Sequence, residues 1–202
     1  MSYDPPTRAD VVVAIVFHSG YGHTARQAEA VRHGAERVPG TSVLFLTSEE
    51  AQSRWDDLAK ADAIIFGAPT YMGSVSGPFK SFMDSTSKVF VSGAWRDKIA
   101  AGFTNSASRS GDKEVTLLQF VVLAAQLGMH WVNLGVPAGN NQSTGSEDDL
   151  NRLGFWLGAA AQSNADQGPD LVPPASDLQT AEQLGERVAK VAQQMARGRI
   201  PA

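Results

Sequence analysis

The sequence predicts one α/β domain in which a five-stranded parallel sheet is covered by helices on both faces. Two observations predict this class. Short apolar runs alternate along the chain with segments of helical periodicity, as in a doubly wound sheet. The first run, Val11–Phe17, is apolar throughout rather than at every second residue, which is typical of a parallel strand buried on both faces.

Each apolar run is assigned to a strand. The five predicted strands are Val11–Phe17, Ser42–Leu46, Ala63–Gly67, Ile99–Thr104 and His130–Leu134. Five parallel strands in a chain of 202 residues favour the flavodoxin-like strand order 2-1-3-4-5.

The helices follow from apolar residues at three- and four-residue spacing. The predicted helices are Ala25–Val38, Gln52–Lys60, a helix that begins at Pro78, Lys113–Leu127 and Asp177–Met195. The helix Lys113–Leu127 is apolar on nearly every side, which predicts that it is buried.

The length of the chain suits a single domain spanning residues 1–202, with a polar N-terminal tail over residues 1–10. Residues 135–175 form an irregular excursion rich in Gly, Asn, Ser and Pro. A connection of this length is unusual in a small domain, so we expect it to be functional, an interface or partly mobile.

Composition narrows the function. The net charge of −4 gives no reason to expect a nucleic acid or an anionic membrane as partner. The absence of cysteine excludes thiolate catalysis, so redox chemistry needs a bound cofactor. The four histidines lack metal-ligand spacing, and no metal is expected. No apolar run is long enough for a membrane span and the N-terminus lacks signal-peptide features, which predicts a cytoplasmic protein.

A glycine-containing loop joins the first strand to the first helix and predicts a phosphate site. The loop consists of Ser19, Gly20, Tyr21, Gly22, His23 and Thr24. The first N–H groups of a helix have no internal partner, and the macrodipole adds positive charge there. The loop has hydroxyls but no lysine, which indicates a phosphate held as part of a cofactor rather than one being transferred.

The same loop also fits the dinucleotide pattern G-x-G-x-x-A over residues 20–25. That pattern requires an acidic residue at the end of the second strand, where Leu46-Thr47-Ser48 stands instead, with Glu49 beyond it. The hydroxyls of Ser19 and Thr24 favour a terminal monophosphate. A Rossmann dehydrogenase is disfavoured because the chain leaves no clear substrate domain.

Two further polar loops follow the third and fourth strands and should meet the first loop at the carboxyl edge of the sheet. Their residues are Pro69, Thr70, Tyr71, Met72 and Gly73, and then Asn105, Ser106, Ala107, Ser108, Arg109, Ser110 and Gly111. Such residues suit close contact with a flat polar ligand.

These segments resemble a known family. The matching residues are Ser19–Thr24, Asp62–Gly73, Ser76-Gly77, Phe82–Asp84 and Leu127–Met129. In them the chain is similar to the WrbA-type NAD(P)H:quinone oxidoreductases, and the likeness extends from Val11 to Leu134 and over the last helix.

The resemblance implies an FMN cofactor and NAD(P)H as electron donor. It implies that the phosphate lies at residues 19–24, that the flavin ring contacts residues 70–73 and that its pyrimidine edge lies on residues 105–111. It further implies a quinone-like small-molecule acceptor and a homo-oligomer, dimer or tetramer, with active sites at subunit contacts. The candidate substrate contacts are Tyr21, Phe90 and Trp156, and Phe90 aligns with a tryptophan that the family places near the substrate. The alternative for Phe90 and Trp156 is a place in the core or at a subunit interface.

The chain departs from the family in several places. The third loop is not glycine-rich, Leu127 stands where the family has a flavin-contacting histidine, and the family's insertion after the second strand is missing. The departures keep open a second hypothesis, an FMN electron-transfer or redox-sensing module without its own turnover. Arg109 either offsets charge at flavin N1/O2 or is an exposed loop residue, and Tyr21 either walls the nicotinamide pocket or faces solvent. We assign no catalytic acid or base.

Overall fold

The computed structural model describes residues 10–198 of the chain. Its strands are β1 (Val11–Phe17), β2 (Thr41–Thr47), β3 (Ala63–Tyr71), β4 (Ser74–Val75), β5 (Ile99–Ser106), β6 (His130–Trp131) and β7 (Ala159–Gln162). Its helices are α1 (His23–Glu36), α2 (Ser48–Ala51), α3 (Trp55–Lys60), α4 (Gly77–Ser85), α5 (Ser87–Ser92), α6 (Lys113–Gln126) and α7 (Ala175–Gly198).

The sheet runs in the order β2-β1-β3-β5-β6, and these neighbours are parallel. This order confirms the predicted flavodoxin-like fold. Successive residues of β1 serve opposite faces of the sheet, because strand side chains alternate. Val13 and Ile15 pack in the core beneath α1 and α7, whereas Ala14 and Val16 pack in the core beneath α4 and α6.

The edge of the sheet differs from the prediction, which gave one strand over residues 130–134. The position is divided between two short strands: β6 pairs with the start of β5, and β7 pairs with its end. Residues between them leave the sheet and return. The two parts meet where the chain returns to the sheet, because the Leu134 N–H donates to the carbonyl of Trp156 just before β7. The predicted irregular region 135–175 therefore contains a strand.

The third strand is longer than the predicted Ala63–Gly67. It continues to Tyr71 and turns back through a two-residue hairpin into the antiparallel β4. Met72 and Gly73 at the tip have φ of 49° and 75°. Positive φ at both central residues is the geometry of the type I′ turn, which suits the twist of paired strands.

Two short helices in the structure were not predicted. The predicted helix Gln52–Lys60 corresponds to α3 alone, and α2 precedes it. The helix predicted to begin at Pro78 corresponds to α4, and α5 follows it directly. The unpredicted helix α2 begins with a capping box of Thr47 and Glu50, in which each side chain binds the other's backbone N–H.

Helix α6 is only half buried, contrary to the prediction. Leu117 and Phe120 are fully buried against the sheet. Val115, Leu118 and Val122 on the opposite side are about half exposed. The all-round apolar pattern identified the helix but did not say which side faces the core.

Candidate functional site

A cavity of about 760 Å³ opens beyond the carboxyl ends of β1, β3 and β5. The three polar loops line it together. The lining residues from these loops are Ser19, Tyr21, His23 and Thr24, then Pro69, Thr70, Tyr71 and Met72, then Asn105, Ser106 and Ala107. The structure thus brings the three predicted loops to one site.

Several predicted residues do not line this cavity. Within the loops these are Gly20, Gly22, Gly73, Ser108, Arg109, Ser110 and Gly111. Phe90 lies on α5 and Trp156 in the excursion, and their side chains are 63% and 60% exposed. Within the described chain neither lines the cavity, so their contact with substrate stays a prediction.

The first loop presents the start of α1 to the cavity. Gly22 stands at the N-cap position with φ of 88° and, being glycine, supplies no side-chain cap of its own. The Ser19 hydroxyl accepts a hydrogen bond from the Ala25 N–H at 3.1 Å, and Thr24 is buried. A Cβ built on Gly20 would lie 2.6 Å from the Tyr71 hydroxyl, so a larger residue there would displace the Tyr71 ring from its place beside the first loop.

This arrangement fits the phosphate of FMN. A helix start offers backbone N–H groups and the positive end of the macrodipole to an anion. In α1 the Ala25 N–H is already bonded to Ser19, and no side chain of the N-cap residue competes for the others. The hydroxyls of Ser19 and Thr24 add hydrogen-bonding groups, and both residues line the cavity. The contact itself stays a prediction, as do the flavin contacts of the other two loops.

The second loop directs one of its hydroxyls into the protein. The Thr70 hydroxyl is within hydrogen-bond distance of the Thr104 and Thr116 hydroxyls, at 2.9 and 2.8 Å, and all three residues are buried. These bonds turn the Thr70 hydroxyl toward the interior, while Tyr71 and Met72 of the same loop line the cavity beside it. The hydroxyl cluster links the end of β3 to β5 and α6.

Two tyrosines flank the mouth of the cavity. The rings of Tyr21 and Tyr71 meet edge to face, with centroids 6.2 Å apart. Burial, together with the neighbouring Tyr21, raises the pKa of Tyr71, although a hydrogen bond from Gly20 acts in the opposite direction. Tyr71 therefore stays a neutral phenol at physiological pH. Tyr21 and Met72 are strongly exposed and form an apolar rim.

The third loop is held from behind by charged side chains. Lys113 Nζ donates to the carbonyls of Ser108 and Arg109, at 2.6 and 3.1 Å. The Arg109 guanidinium pairs with Glu147 at 2.7 Å and is largely exposed. The positive charge of Arg109 is thus partly neutralised by the Glu147 carboxylate from the excursion.

A fourth segment closes the cavity and was missed by the sequence reasoning. Its lining residues are Ser163, Ala165, Gln167 and Gly168. His23 Nε2 lies 2.8 Å from the Gln167 carbonyl, and the Asn105 amide donates to the Ser163 hydroxyl at 2.8 Å. The sequence does contain a weak indication of this segment, the run of small residues Ala159–Ala161. Had that run been assigned to a parallel strand, the residues after it would have been placed at the same edge of the sheet.

Residues 10–198 contain no group of three or more histidine, aspartate or glutamate side chains arranged to hold a metal ion. In the same part of the chain, no helix is both long and apolar enough to cross a membrane.

Comparisons with known proteins agree with this site. A family model described as NADPH-dependent FMN reductase matches residues 45–144. Flavodoxin FldP of Pseudomonas aeruginosa (strain UCBPP-PA14) is 44% identical over 183 residues, which cover 90% of this chain and 96% of that protein. An NAD(P)H dehydrogenase (quinone) of Aromatoleum aromaticum is 32% identical over 209 residues, which cover 93% of this chain and 98% of the relative.

A solved structure extends the comparison. The crystal structure of a flavodoxin, WrbA-like protein from Agrobacterium tumefaciens matches with a TM-score of 0.71 and 40% sequence identity, covering 91% of this chain and 98% of that one. The fold and these comparisons together define a flavodoxin-like FMN protein. Within that class, the chain belongs to the WrbA-type NAD(P)H:quinone oxidoreductase family.

Membership confirms three predictions at the level of the family. The protein is of an NAD(P)H-dependent oxidoreductase type, FMN is its cofactor and NAD(P)H is the electron donor.

Proposed function

We propose that this protein transfers two electrons from NAD(P)H to a quinone-like acceptor through bound FMN. When bound, FMN accepts a hydride from NAD(P)H and then passes two electrons to the acceptor. The observation that carries the proposal is the 760 Å³ cavity, in which three polar loops meet beneath an open apolar rim. A flat ring held by its phosphate and edges can there expose one face to a second flat molecule.

In this proposal residues 19–24 hold the phosphate. The start of α1 supplies backbone N–H donors, and Ser19 and Thr24 supply hydroxyls. A hydrogen bond to a charged acceptor contributes ~1.5–3 kcal/mol, so a few such bonds account for tight retention of the cofactor.

The flavin ring lies against the hairpin Thr70–Gly73 through its cavity-lining residues Thr70–Met72. The pyrimidine edge lies on the loop Asn105–Gly111 through its cavity-lining residues Asn105–Ala107. The exposed rim of Tyr21, Tyr71 and Met72 excludes water from one side of the ring and offers aromatic surface to nicotinamide and acceptor in turn. No side chain is assigned a proton transfer, because position and electrostatics suffice for this chemistry.

The first test is cofactor binding followed by turnover. Purified protein mixed with excess FMN should retain the yellow chromophore and quench flavin fluorescence. The loaded protein should then oxidise NADH or NADPH with benzoquinone as acceptor at steady state. Failure to retain FMN would overturn the proposal, whereas retention without turnover would leave the second candidate below.

The second candidate is an electron-transfer or redox-sensing module without substrate turnover. Its support is the 44% identity to a protein named flavodoxin, together with the altered third loop and Leu127. A long-lived one-electron-reduced form and negligible NAD(P)H oxidation with benzoquinone would favour it. Rapid turnover would exclude it.

The proposal includes a homo-oligomer, dimer or tetramer, acting in the cytoplasm, where NAD(P)H is available. Apolar side chains on the surface support self-association: Val115, Leu118 and Val122 of α6, Phe90 and Val91 of α5, and Trp156. Light scattering at micromolar concentration should give a multiple of the 21.4 kDa chain mass. A mass of one chain would contradict this part of the proposal.

A further inference from the structure

Lys113, the first residue of α6, has a fully buried side chain. Burial takes its ammonium group out of water, and the positive end of the helix macrodipole also opposes a cation at this position. Hydrogen bonds and opposite charges must offset these two unfavourable effects. The partners of the ammonium group therefore indicate what the cation does in the protein.

Two of these partners are backbone carbonyls of the third loop. Nζ donates to Ser108 O at 2.6 Å and to Arg109 O at 3.1 Å. The side chains of Ser108 and Arg109 are exposed, so a single buried cation fixes two consecutive peptide groups of a loop that otherwise faces solvent. The same loop begins with Asn105–Ala107, which line the cavity.

Charges from two other parts of the chain act on Lys113. Asp177 of α7 and Arg152 of the excursion lie in the buried interior beside it and form an ion pair with each other at 2.8 Å. The two carboxylates next to Lys113 in sequence, those of Asp112 and Glu114, are exposed and do not belong to this buried group. Glu147, also exposed, accepts from both Arg152 and Arg109. The buried set of Lys113, Arg152 and Asp177 thus carries one net positive charge while Lys113 is protonated.

The charge on Lys113 changes with pH near neutrality. Burial lowers the pKa of Lys113 to about 8, with Asp177 acting to raise it and Arg152 acting to lower it further. Deprotonation would leave the buried set neutral and would weaken the hold on the two carbonyls, because a hydrogen bond from a charged donor is stronger than one from a neutral donor.

We propose that Lys113 is a positioning residue for the cofactor: its ammonium clamps the carbonyls of Ser108 and Arg109, sets the shape of the loop that receives the flavin pyrimidine edge, and places positive charge behind that edge. The proposal rests on the proposed function, since it takes FMN at this cavity as given. Negative charge develops at flavin N1/O2 on reduction, and a cation behind the loop favours it.

The test compares wild-type protein with K113M and with a matched control, K98M. Methionine keeps the unbranched shape of lysine without its charge. Lys98 also donates to two backbone carbonyls, those of Ala59 and Ala61, but it precedes β5 and so lies at the opposite end of the sheet. The readouts are the dissociation constant of oxidised FMN and the two-electron midpoint potential of bound FMN minus that of free FMN.

We expect K113M to bind oxidised FMN several-fold more weakly and to lose about tenfold in its preference for reduced over oxidised FMN. That loss equals about 30 mV of potential for a two-electron couple. K98M should match wild type in both readouts. A wild-type value of either readout in K113M would overturn the corresponding part of the proposal: unchanged affinity removes the clamp, and an unchanged potential difference removes the electrostatic role.

A pH series on wild-type protein decides the electrostatic role even if K113M does not fold. The potential difference between bound and free FMN should become more negative as the pH rises through about 8, as Lys113 loses its proton. A constant difference from about pH 7 to pH 9.5 would overturn it. Failure of wild-type protein to bind FMN at all would instead overturn the proposed function, and the present proposal with it.

Discussion

At the scale of single residues, the first loop makes a direct prediction about Ser19. Replacing Ser19 with alanine removes the hydroxyl that accepts from the Ala25 N–H and lines the cavity. A hydrogen bond to a charged phosphate contributes ~1.5–3 kcal/mol, so we expect Ser19→Ala to weaken FMN binding about tenfold or more. Fluorescence titration measures this affinity.

Ser53→Ala is the matched control for Ser19→Ala. The Ser53 hydroxyl also makes a hydrogen bond within a turn, donating to the Glu50 carbonyl, but Ser53 does not line the cavity. FMN affinity equal to wild type in both variants would show that the first loop does not hold the phosphate.

Asp177 makes a second prediction, on stability. Its carboxylate accepts from the Arg152 guanidinium at 2.8 and 2.9 Å, and both side chains are almost fully buried. Asp177→Asn leaves the buried Arg152 guanidinium with only the exposed Glu147 as counter-charge. Breaking a buried pair costs about 3–5 kcal/mol, and we expect a loss at the lower end of that range. Urea unfolding monitored by circular dichroism should show this loss in the free energy of unfolding.

The same helix supplies the control. Glu186 pairs with Lys190 one turn away, and the lysine is largely exposed. Glu186→Gln should change the free energy of unfolding by about 0.5 kcal/mol or less, since exposed helical pairs contribute little. An equal loss in both variants would mean that the buried pair is worth no more than the surface pair.

At the scale of elements, α1 and α7 approach each other through two glycines. A Cβ built on Gly185 would lie 2.0 Å from the Val31 carbonyl oxygen, and one on Gly34 would lie 1.9 Å from the Glu182 carbonyl oxygen. Gly185→Ala must therefore push the helices apart, and overpacking of this kind costs about 1–3 kcal/mol. Thermal and urea unfolding should both show the destabilisation.

Gly77→Ala tests whether the loss in Gly185→Ala comes from the close contact. Nothing lies within 4 Å of a Cβ built on Gly77, at the first residue of α4. That variant should be close to wild type in stability. A Gly185→Ala protein as stable as Gly77→Ala would contradict the helix packing described above.

The elements also show what local pattern can and cannot predict. The apolar run Val11–Phe17 predicted β1 with its bounds, because a strand buried on both faces leaves an unbroken signal. The edge strand was predicted only in its first half: β6 lies within the predicted His130–Leu134, whereas β7 lies inside the predicted excursion. Residues Ala159–Gln162 have small side chains without the β-branched character typical of strands. Which half pairs where depends on tertiary contacts with β5 rather than on local sequence.

At the scale of the whole molecule, the site was predictable where strand ends determine position. Parallel strands end at one edge, so the three loops could be placed together from sequence. The fourth segment, with Ser163 and Gln167, could not be placed without the second half of the edge strand. The buried partnership of Lys113 with Ser108 and Arg109 was likewise out of reach, because helical periodicity does not say where a lysine at a helix start will point.

The whole fold should respond to the cofactor, and the phosphate should account for much of the response. A ligand at 100 times its dissociation constant stabilises the native state by about 2.7 kcal/mol. For a chain of this size that corresponds to a rise in Tm of about 5–10 °C. We therefore expect saturating FMN to raise the Tm by this amount in calorimetry.

Riboflavin at the same concentration carries the flavin ring without the phosphate, so it separates the contribution of the first loop from those of the other two. If residues 19–24 bind the phosphate at the start of α1, riboflavin should raise the Tm by less than half as much as FMN. Ser19→Ala should reduce the FMN shift and leave the riboflavin shift unchanged, because only the phosphate contacts that hydroxyl. Equal shifts for FMN and riboflavin would place the affinity in the ring contacts of the hairpin and third loop, and would remove the phosphate site from α1.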